Sequence, residues 1–170
     1  QEPGVAEGEF DADPRRMLSR VYTSVDGEVA GPPEITSPLA SAGGWIGRMP
    51  EQKQLPDWLT AEDLDYFVGE FERTGFRGGV NFYRNIDRNW ELTPQLAGAH
   101  VEQPALFIAG KQDLVLSFGG RSSDDLEERL RSVIPKLTKC VLIPDAGHWT
   151  QQQRPAEVNV ELIEFLRGLD

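Results

Sequence analysis

The sequence predicts an α/β protein in which a mainly helical segment precedes part of a parallel β-sheet. Two observations lead there. Over the second half, two short and continuously apolar runs alternate with amphipathic helical stretches; over the first half, helical periodicity is interrupted by a long tract rich in Gly and Pro. A short apolar run bounded by Pro and Gly fits a strand covered on both faces, and a β-α-β-α order calls for parallel strands layered with helices. Two strands do not complete such a sheet, because their open edges and faces need neighbours. The expected division is therefore a helical segment over residues 1–96 and an incomplete α/β part over residues 97–170.

Each element has its own signal. Asp13-Pro14 places a capping side chain before a Pro at the first helical position, which predicts a helix to about Val25. From Gly27 to Pro56 the chain reads as irregular, although Trp45, Ile46, Met49 and Leu55 argue that it packs. Thr60 caps the next helix, with Glu62 and Asp63 at its positive end, Leu64, Phe67, Val68 and Phe71 on its apolar face, and Gly75 as its stop. A further helix is expected from about Val80 to Leu92, with Phe82, Tyr83, Ile86 and Trp90 on one side. Pro104 to Gly110 is the first strand and Lys139 to Pro144 the second. Between them Asp124 to Ile134 is helical, with Leu126, Leu130, Val133 and Ile134 facing inward. Pro155 to Leu169 closes the chain as a helix whose core stripe is Val158, Leu162, Phe165, Leu166 and Leu169.

Composition excludes several classes. The chain has 170 residues and a formal net charge of −11, with its arginines dispersed, so no electrostatic footprint for a phosphate backbone is present and nucleic acid is not an expected partner. No apolar run approaches the roughly 18 to 20 residues that span a bilayer. Neither a secretory leader nor an initiator Met opens the sequence, which leads us to expect further polypeptide upstream. The single Cys140 excludes an internal disulfide and points to a reducing, cytoplasmic setting. It reads as a buried spectator, because no cationic neighbour would lower its pKa. Homo-oligomerisation is left open.

Chemistry gathers at two strand ends. Asp113 follows Gly110 within Gly110-Lys111-Gln112-Asp113, and His148 follows the second strand within Asp145-Ala146-Gly147-His148. The crevice outside the carboxyl ends of parallel strands is where such folds bind ligands. Alone, Asp113 could begin a turn and His148 cap a loop. Together they can form a pair in which the carboxylate orients the imidazole and the imidazole takes a proton. Asp then His, each after a late strand, is the order of α/β-hydrolases, whose nucleophile comes earlier in the chain. Here the sequence contains no nucleophile elbow and no HGGG-like oxyanion loop.

Three separated stretches carry a more specific likeness. Gly75 to Trp90 (GFRGGVNFYRNIDRNW), Pro104 to Asp113 (PALFIAGKQD) and Gly147 to Asn159 (GHWTQQQRPAEVN) resemble the cap and C-terminal core of soluble epoxide hydrolases of the α/β-hydrolase superfamily. The likeness runs from Gln1-Glu2-Pro3-Gly4-Val5-Ala6-Glu7 through Arg48-Met49-Pro50 to the last helix. It implies that residues 1–96 are cap and residues 97–170 the C-terminal part of the core. It also implies a two-step hydrolysis of an epoxide to a vicinal diol through an alkyl-enzyme ester. In that scheme Tyr83 hydrogen-bonds the epoxide oxygen, Asp113 is the acid and His148 the base that activates water. Nucleophile, oxyanion-hole residues and a second tyrosine are implied on a complementary N-terminal polypeptide, the tyrosine two residues before Gln1. The implied partners are a small epoxide and water, and neither cofactor nor metal is implied. One departure is that Asn81-Phe82-Tyr83-Arg84-Asn85 has Phe where many relatives have Trp, which leaves the tyrosine intact and alters the packing beside it.

Tyr83 bears on the choice among related chemistries. Opening a strained ether produces a basic alkoxide, so a phenol that donates as charge builds lowers the barrier, whereas a departing halide needs no acid. The alternatives are a nucleophile-less binding or assembly subunit and a haloalkane dehalogenase-like hydrolase. Trp149, Phe82 and Met49 are candidate pocket walls, although Trp149 could equally pack, and Met49, like Trp45 and Trp90, better suits a core. Tyr22 and Tyr66 suit helix packing, His100 a surface, and the acidic run from Asp124 to Glu128 a solvated helix face.

Overall fold

Residues 2–24, 44–49, 54–117 and 124–169 are described in a computed structural model. They fall into two units, one extending to Ala97 and the other beginning at Gly98. No helix among the described residues is long and apolar enough to cross a membrane.

The first unit is helical. α1 (Val5–Phe10) leads to α2 (Pro14–Ser24), whose start is capped as expected, with Asp13 Oδ1 accepting the Arg16 N–H at 2.9 Å. α3 (Ala61–Thr74) opens on a reciprocal capping box: Thr60 Oγ1 accepts the Asp63 N–H at 3.1 Å and Asp63 Oδ2 accepts the Thr60 N–H at 3.3 Å. It stops at Gly75, whose φ of +68° suits glycine. These helices enclose Phe10, Met17, Leu18, Leu64, Val68, Phe76 and Val80, together with Ile46 and Met49 from a short 3-10 turn at Ile46–Arg48 and its flank. Most of the stretch expected to be irregular, from Gly27 to Pro56, lies outside the described residues. Within its described part, Trp45 and Leu55 pack against this core as the sequence suggests.

The helix expected from Val80 to Leu92 is instead two, α4 (Arg77–Arg84) and α5 (Ile86–Leu92). Asn85 separates them with φ −89° and ψ 1°, and its side-chain amide donates to the Asn81 carbonyl oxygen at 2.8 Å. An asparagine that offers a local hydrogen bond competes with helix continuation, which the apolar periodicity did not reveal. α4 buries Val80 and turns Phe82 and Tyr83 outward, and Ile86 and Trp90 are exposed as well. Trp90, which suited a core, is 74% exposed.

The second unit holds β1 (Ala105–Gly110) and β2 (Leu137–Ile143), paired in parallel, with Leu106 opposite Lys139 and Gly110 opposite Ile143. α6 (Leu126–Val133) connects them, and α7 (Thr150–Gln153) and α8 (Pro155–Arg167) follow. The expected helix-strand alternation is present, yet burial is thinner than the apolar pattern suggested. β1 is only half-buried from Ala105 to Ile108, and Val133 on α6 is exposed. On α8, Val158 and Phe165 are half-buried while Leu162 and Leu166 are exposed, as is Leu169 just beyond the helix. The reason is geometric: among the described residues the sheet has two strands, which cannot cover both faces and both edges of an α/β layer.

Candidate active site

β1 and β2 end side by side, and the chain leaves both at the same sheet edge. The Lys111 N–H continues the ladder by donating to the Ile143 oxygen at 2.9 Å, and the Gln112 N–H donates to the Ala146 oxygen at 2.9 Å. Gly110 permits this approach. A Cβ at that position would sit 2.5 Å from the Ala146 carbonyl carbon and closer still to the carbonyl oxygens of Ala146 and Gly147. No side chain fits between the two loops.

Each loop then has its own brace. On the first, the Asp113 N–H donates to the Gly110 oxygen at 3.1 Å, and Asp113 Oδ1 accepts the Val115 N–H at 2.9 Å. On the second, Asp145 adopts a left-handed φ of 52°, a conformation that Asp tolerates better than most residues. Gly147 is then held by α7. Its N–H donates to Gln153 Oε1 at 2.6 Å, and its oxygen accepts the Thr150 hydroxyl at 2.9 Å. Thr150 and Gln153 are both buried.

This framework brings Asp113 and His148 together. His148 Nδ1 lies 3.1 Å from Asp113 Oδ2 and 3.2 Å from Oδ1, so an Nδ1–H donates to the carboxylate and Nε2 remains the nitrogen that can take a proton. The Asp113 side chain is 12% exposed and that of His148 40%. Burial alone would push the Asp113 carboxyl up, but the bonds from His148 and the Val115 N–H outweigh it and leave it below the ordinary value. The hydrogen bond to Asp113 pushes His148 up from 6.5, against the opposing effect of burial. The two groups therefore titrate as a pair. Trp149 is half-buried and meets the imidazole edge-on, with ring centroids 5.2 Å apart.

The remaining candidates belong to the first unit. Tyr83 is 65% exposed in the last turn of α4, beside Phe82, whose ring it meets edge-on at 5.9 Å. Met49 is buried in that unit's core, a position that supports its packing reading. Tyr22 stacks on Phe67 at 5.5 Å, whereas Tyr66 is largely exposed. In the second unit His100 is exposed. Cys140 is half-buried with its thiol pushed up, first by burial, as suits a spectator.

In the sequence Gly110 reads only as a strand boundary, and Gln153 and Thr150 do not stand out. A Gly three residues before a candidate acid, facing a small Ala146-Gly147 pair beside a candidate base, is the signal that marked the close approach. No local pattern marks Gln153 as the acceptor for Gly147.

No protein-family model matches the chain. It is 45% identical over 172 residues to epoxide hydrolase A of Mycobacterium tuberculosis, an alignment covering 100% of this chain and 51% of the relative. It is 36% identical over 168 residues to epoxide hydrolase 2 of Siraitia grosvenorii, covering 98% of this chain and 51% of that protein. Among solved structures, epoxide hydrolase A from Mycobacterium thermoresistibile superposes with a TM-score of 0.81 at 48% identity, over 99% of this chain and 50% of that one. Potato epoxide hydrolase I superposes with a TM-score of 0.81 at 32% identity, over 99% of this chain and 51% of that one. The chain thus spans about half the length of the curated relatives it matches, and its mixed α/β architecture matches half of their fold.

Proposed function

The chain is a homologue of the epoxide hydrolases and aligns with the C-terminal part of these α/β-hydrolases, and on that premise we propose that it supplies the base, the orienting acid and one ring-opening phenol for hydrolysis of an epoxide to a vicinal diol. The observation that carries the reading is the contact of His148 Nδ1 with the Asp113 carboxylate at the ends of two paired parallel strands.

In the proposed reaction an Asp carboxylate on a complementary N-terminal polypeptide attacks an epoxide carbon. A carbon–oxygen bond of the ring breaks as the ester bond forms, and the departing oxygen takes the Tyr83 proton. His148 Nε2 then removes a proton from water, and the resulting hydroxide adds to the ester carbonyl. Collapse regenerates the carboxylate and releases the diol, whose second hydroxyl carries the remaining water proton; the proton on His148 returns to the Tyr83 phenolate. Asp113 holds the imidazole in the tautomer that presents Nε2 and stabilises the cation formed. Trp149 and Phe82 are the proposed pocket walls from this chain. A cytoplasmic location and a part in epoxide detoxification complete the proposal.

The test separates the two steps. In the catalytically complete protein that carries this chain, His148→Gln lets the ester form and accumulate after exposure to a simple aryl epoxide, seen as a mass increase equal to the epoxide. Tyr83→Phe instead slows ester formation by about 10²-fold, as deletion of a single oxyanion donor does. Absence of any adduct in the His148 variant removes the base assignment. Diol formation that is undetectable in the complete protein favours a binding or assembly subunit, and release of halide from a haloalkane favours the dehalogenase reading.

A further inference from the structure

Tyr83 sits in the last turn of an eight-residue helix, where carbonyls lack intrahelical partners and fraying is the default. α4 is not left loose there. Arg84 turns inward, and its two terminal nitrogens donate to the two carboxylate oxygens of Glu7 on α1, with Nη2 to Oε2 at 2.6 Å. The same guanidinium donates to Asn81 Oδ1 at 3.1 Å and to the Glu2 carbonyl oxygen at 3.2 Å, while Glu7 Oε2 also accepts the Gly4 N–H at 3.0 Å. Both side chains are only 12% exposed. Chiefly through its hydrogen bond to Arg84, the Glu7 carboxyl is pulled down to about 2.

The opposite end of α4 is held by the same neighbour. Asp11 Oδ1 accepts the Phe76 N–H at 2.9 Å, and the Phe10 ring meets Phe76 edge-on at 5.7 Å. With Val80 and Arg84 directed inward one helical turn apart, Phe82 and Tyr83 are left facing outward. The grip at Asp11 lies two turns from the phenol, and the grip at Glu7 is adjacent to it. A two-toothed contact between a planar guanidinium and a carboxylate fixes direction as well as distance, which a lysine ammonium does not. An exposed ion pair would contribute little, but this one is largely withdrawn from water.

We infer that the Glu7–Arg84 pair is a positioning element for the Tyr83 phenol, holding the last turn of α4 so that the donor is preset before the epoxide arrives. This rests on the reading of Tyr83 as the ring-opening donor. Neither Glu7 nor Arg84 touches the reacting atoms; they act through the adjoining residue.

A double-mutant cycle tests it in the catalytically complete protein, with single-turnover formation and hydrolysis of the ester of a simple aryl epoxide as the two readouts. Arg84→Lys slows ester formation about tenfold, as a displacement of well under 1 Å would, and leaves ester hydrolysis unchanged. In a Tyr83→Phe background the same substitution adds nothing further, because the group it positions is gone. Glu7→Gln runs the same cycle from the other partner and carries the test if the lysine variant does not fold. Additive effects of the two substitutions, or equal slowing of both steps, overturn the inference and leave the pair a structural role alone. Tyr83→Phe without effect on ester formation fails earlier, overturning the role of the phenol itself and with it the need to position it.

Discussion

Replacing Gly110 by Ala probes the framework under the Asp113–His148 pair without touching either residue. The added Cβ would lie 2.2 Å from the Gly147 carbonyl oxygen, so restoring ordinary contact of at least 3.4 Å moves the Ala146-Gly147 peptide by about 1.2 Å. The peptide cannot recede freely: the Ala146 oxygen accepts the Gln112 N–H at 2.9 Å, and the Gly147 N–H donates to Gln153 Oε1 at 2.6 Å. Transmitted to His148, the displacement lengthens its 3.1 Å contact with Asp113 to about 4.3 Å, outside hydrogen-bonding range. Overpacking against backbone costs about 1–3 kcal/mol, and a misplacement near 1 Å costs about 10²-fold in rate. The assay is single-turnover quench of the complete protein with an aryl epoxide, followed by mass spectrometry, alongside a urea unfolding midpoint. Ester formation stays near normal, ester hydrolysis falls by about two orders of magnitude, and the midpoint drops. A Gly110→Ala protein that hydrolyses its ester at the normal rate and keeps its midpoint would refute the view that close packing of the two loops sets the pair.

Four further outcomes are expected. The imidazole must be neutral to accept a proton, and its contact with Asp113 raises it above 6.5, so hydrolysis of the ester rises with pH through a limb above that value. Asp113→Asn removes the carboxylate and shifts the limb to lower pH, and a limb that stays in place in the pH–rate profile breaks the link. Stability conferred by raising His148 is complete below 6.5 and is lost as pH rises through its folded pKa, so thermal unfolding scans should show this loss in the parent and not in His148→Gln. Glu7 has the opposite sign, because its folded pKa is depressed. Its contribution is intact above 4.5 and is lost as pH falls toward about 2, a loss of tryptophan-monitored stability that Glu7→Gln removes; equal acid sensitivity of parent and variant contradicts the pairing. Gln153→Leu leaves the Gly147 N–H without its 2.6 Å acceptor and lowers the urea midpoint by the equivalent of about 1–3 kcal/mol, whereas an unchanged midpoint means that Gly147 is satisfied otherwise.

The amino-acid order by itself determined the features that depend on neighbours in the chain. Capping by Asp13 and Thr60, the stop at Gly75 and the helix-strand alternation after Gly98 are written in local patterns, because caps and periodic faces act over three or four residues. Asp113 and His148 were legible too, since each follows a strand and parallel neighbours end at one edge of a sheet. Tertiary structure alone decided what depends on contacts between distant segments. Arg84 meets Glu7 across 77 positions, and Gly110 makes room for carbonyls more than thirty residues further on. The break at Asn85 and the exposure of Trp90 escaped the apolar spacing, because periodicity reports that a face exists but not which partner covers it. The same holds for α8, where Leu162 and Leu166 share the apolar character of Val158 and Phe165 without their cover. Burial is a property of two surfaces, and one stretch of sequence specifies only one of them.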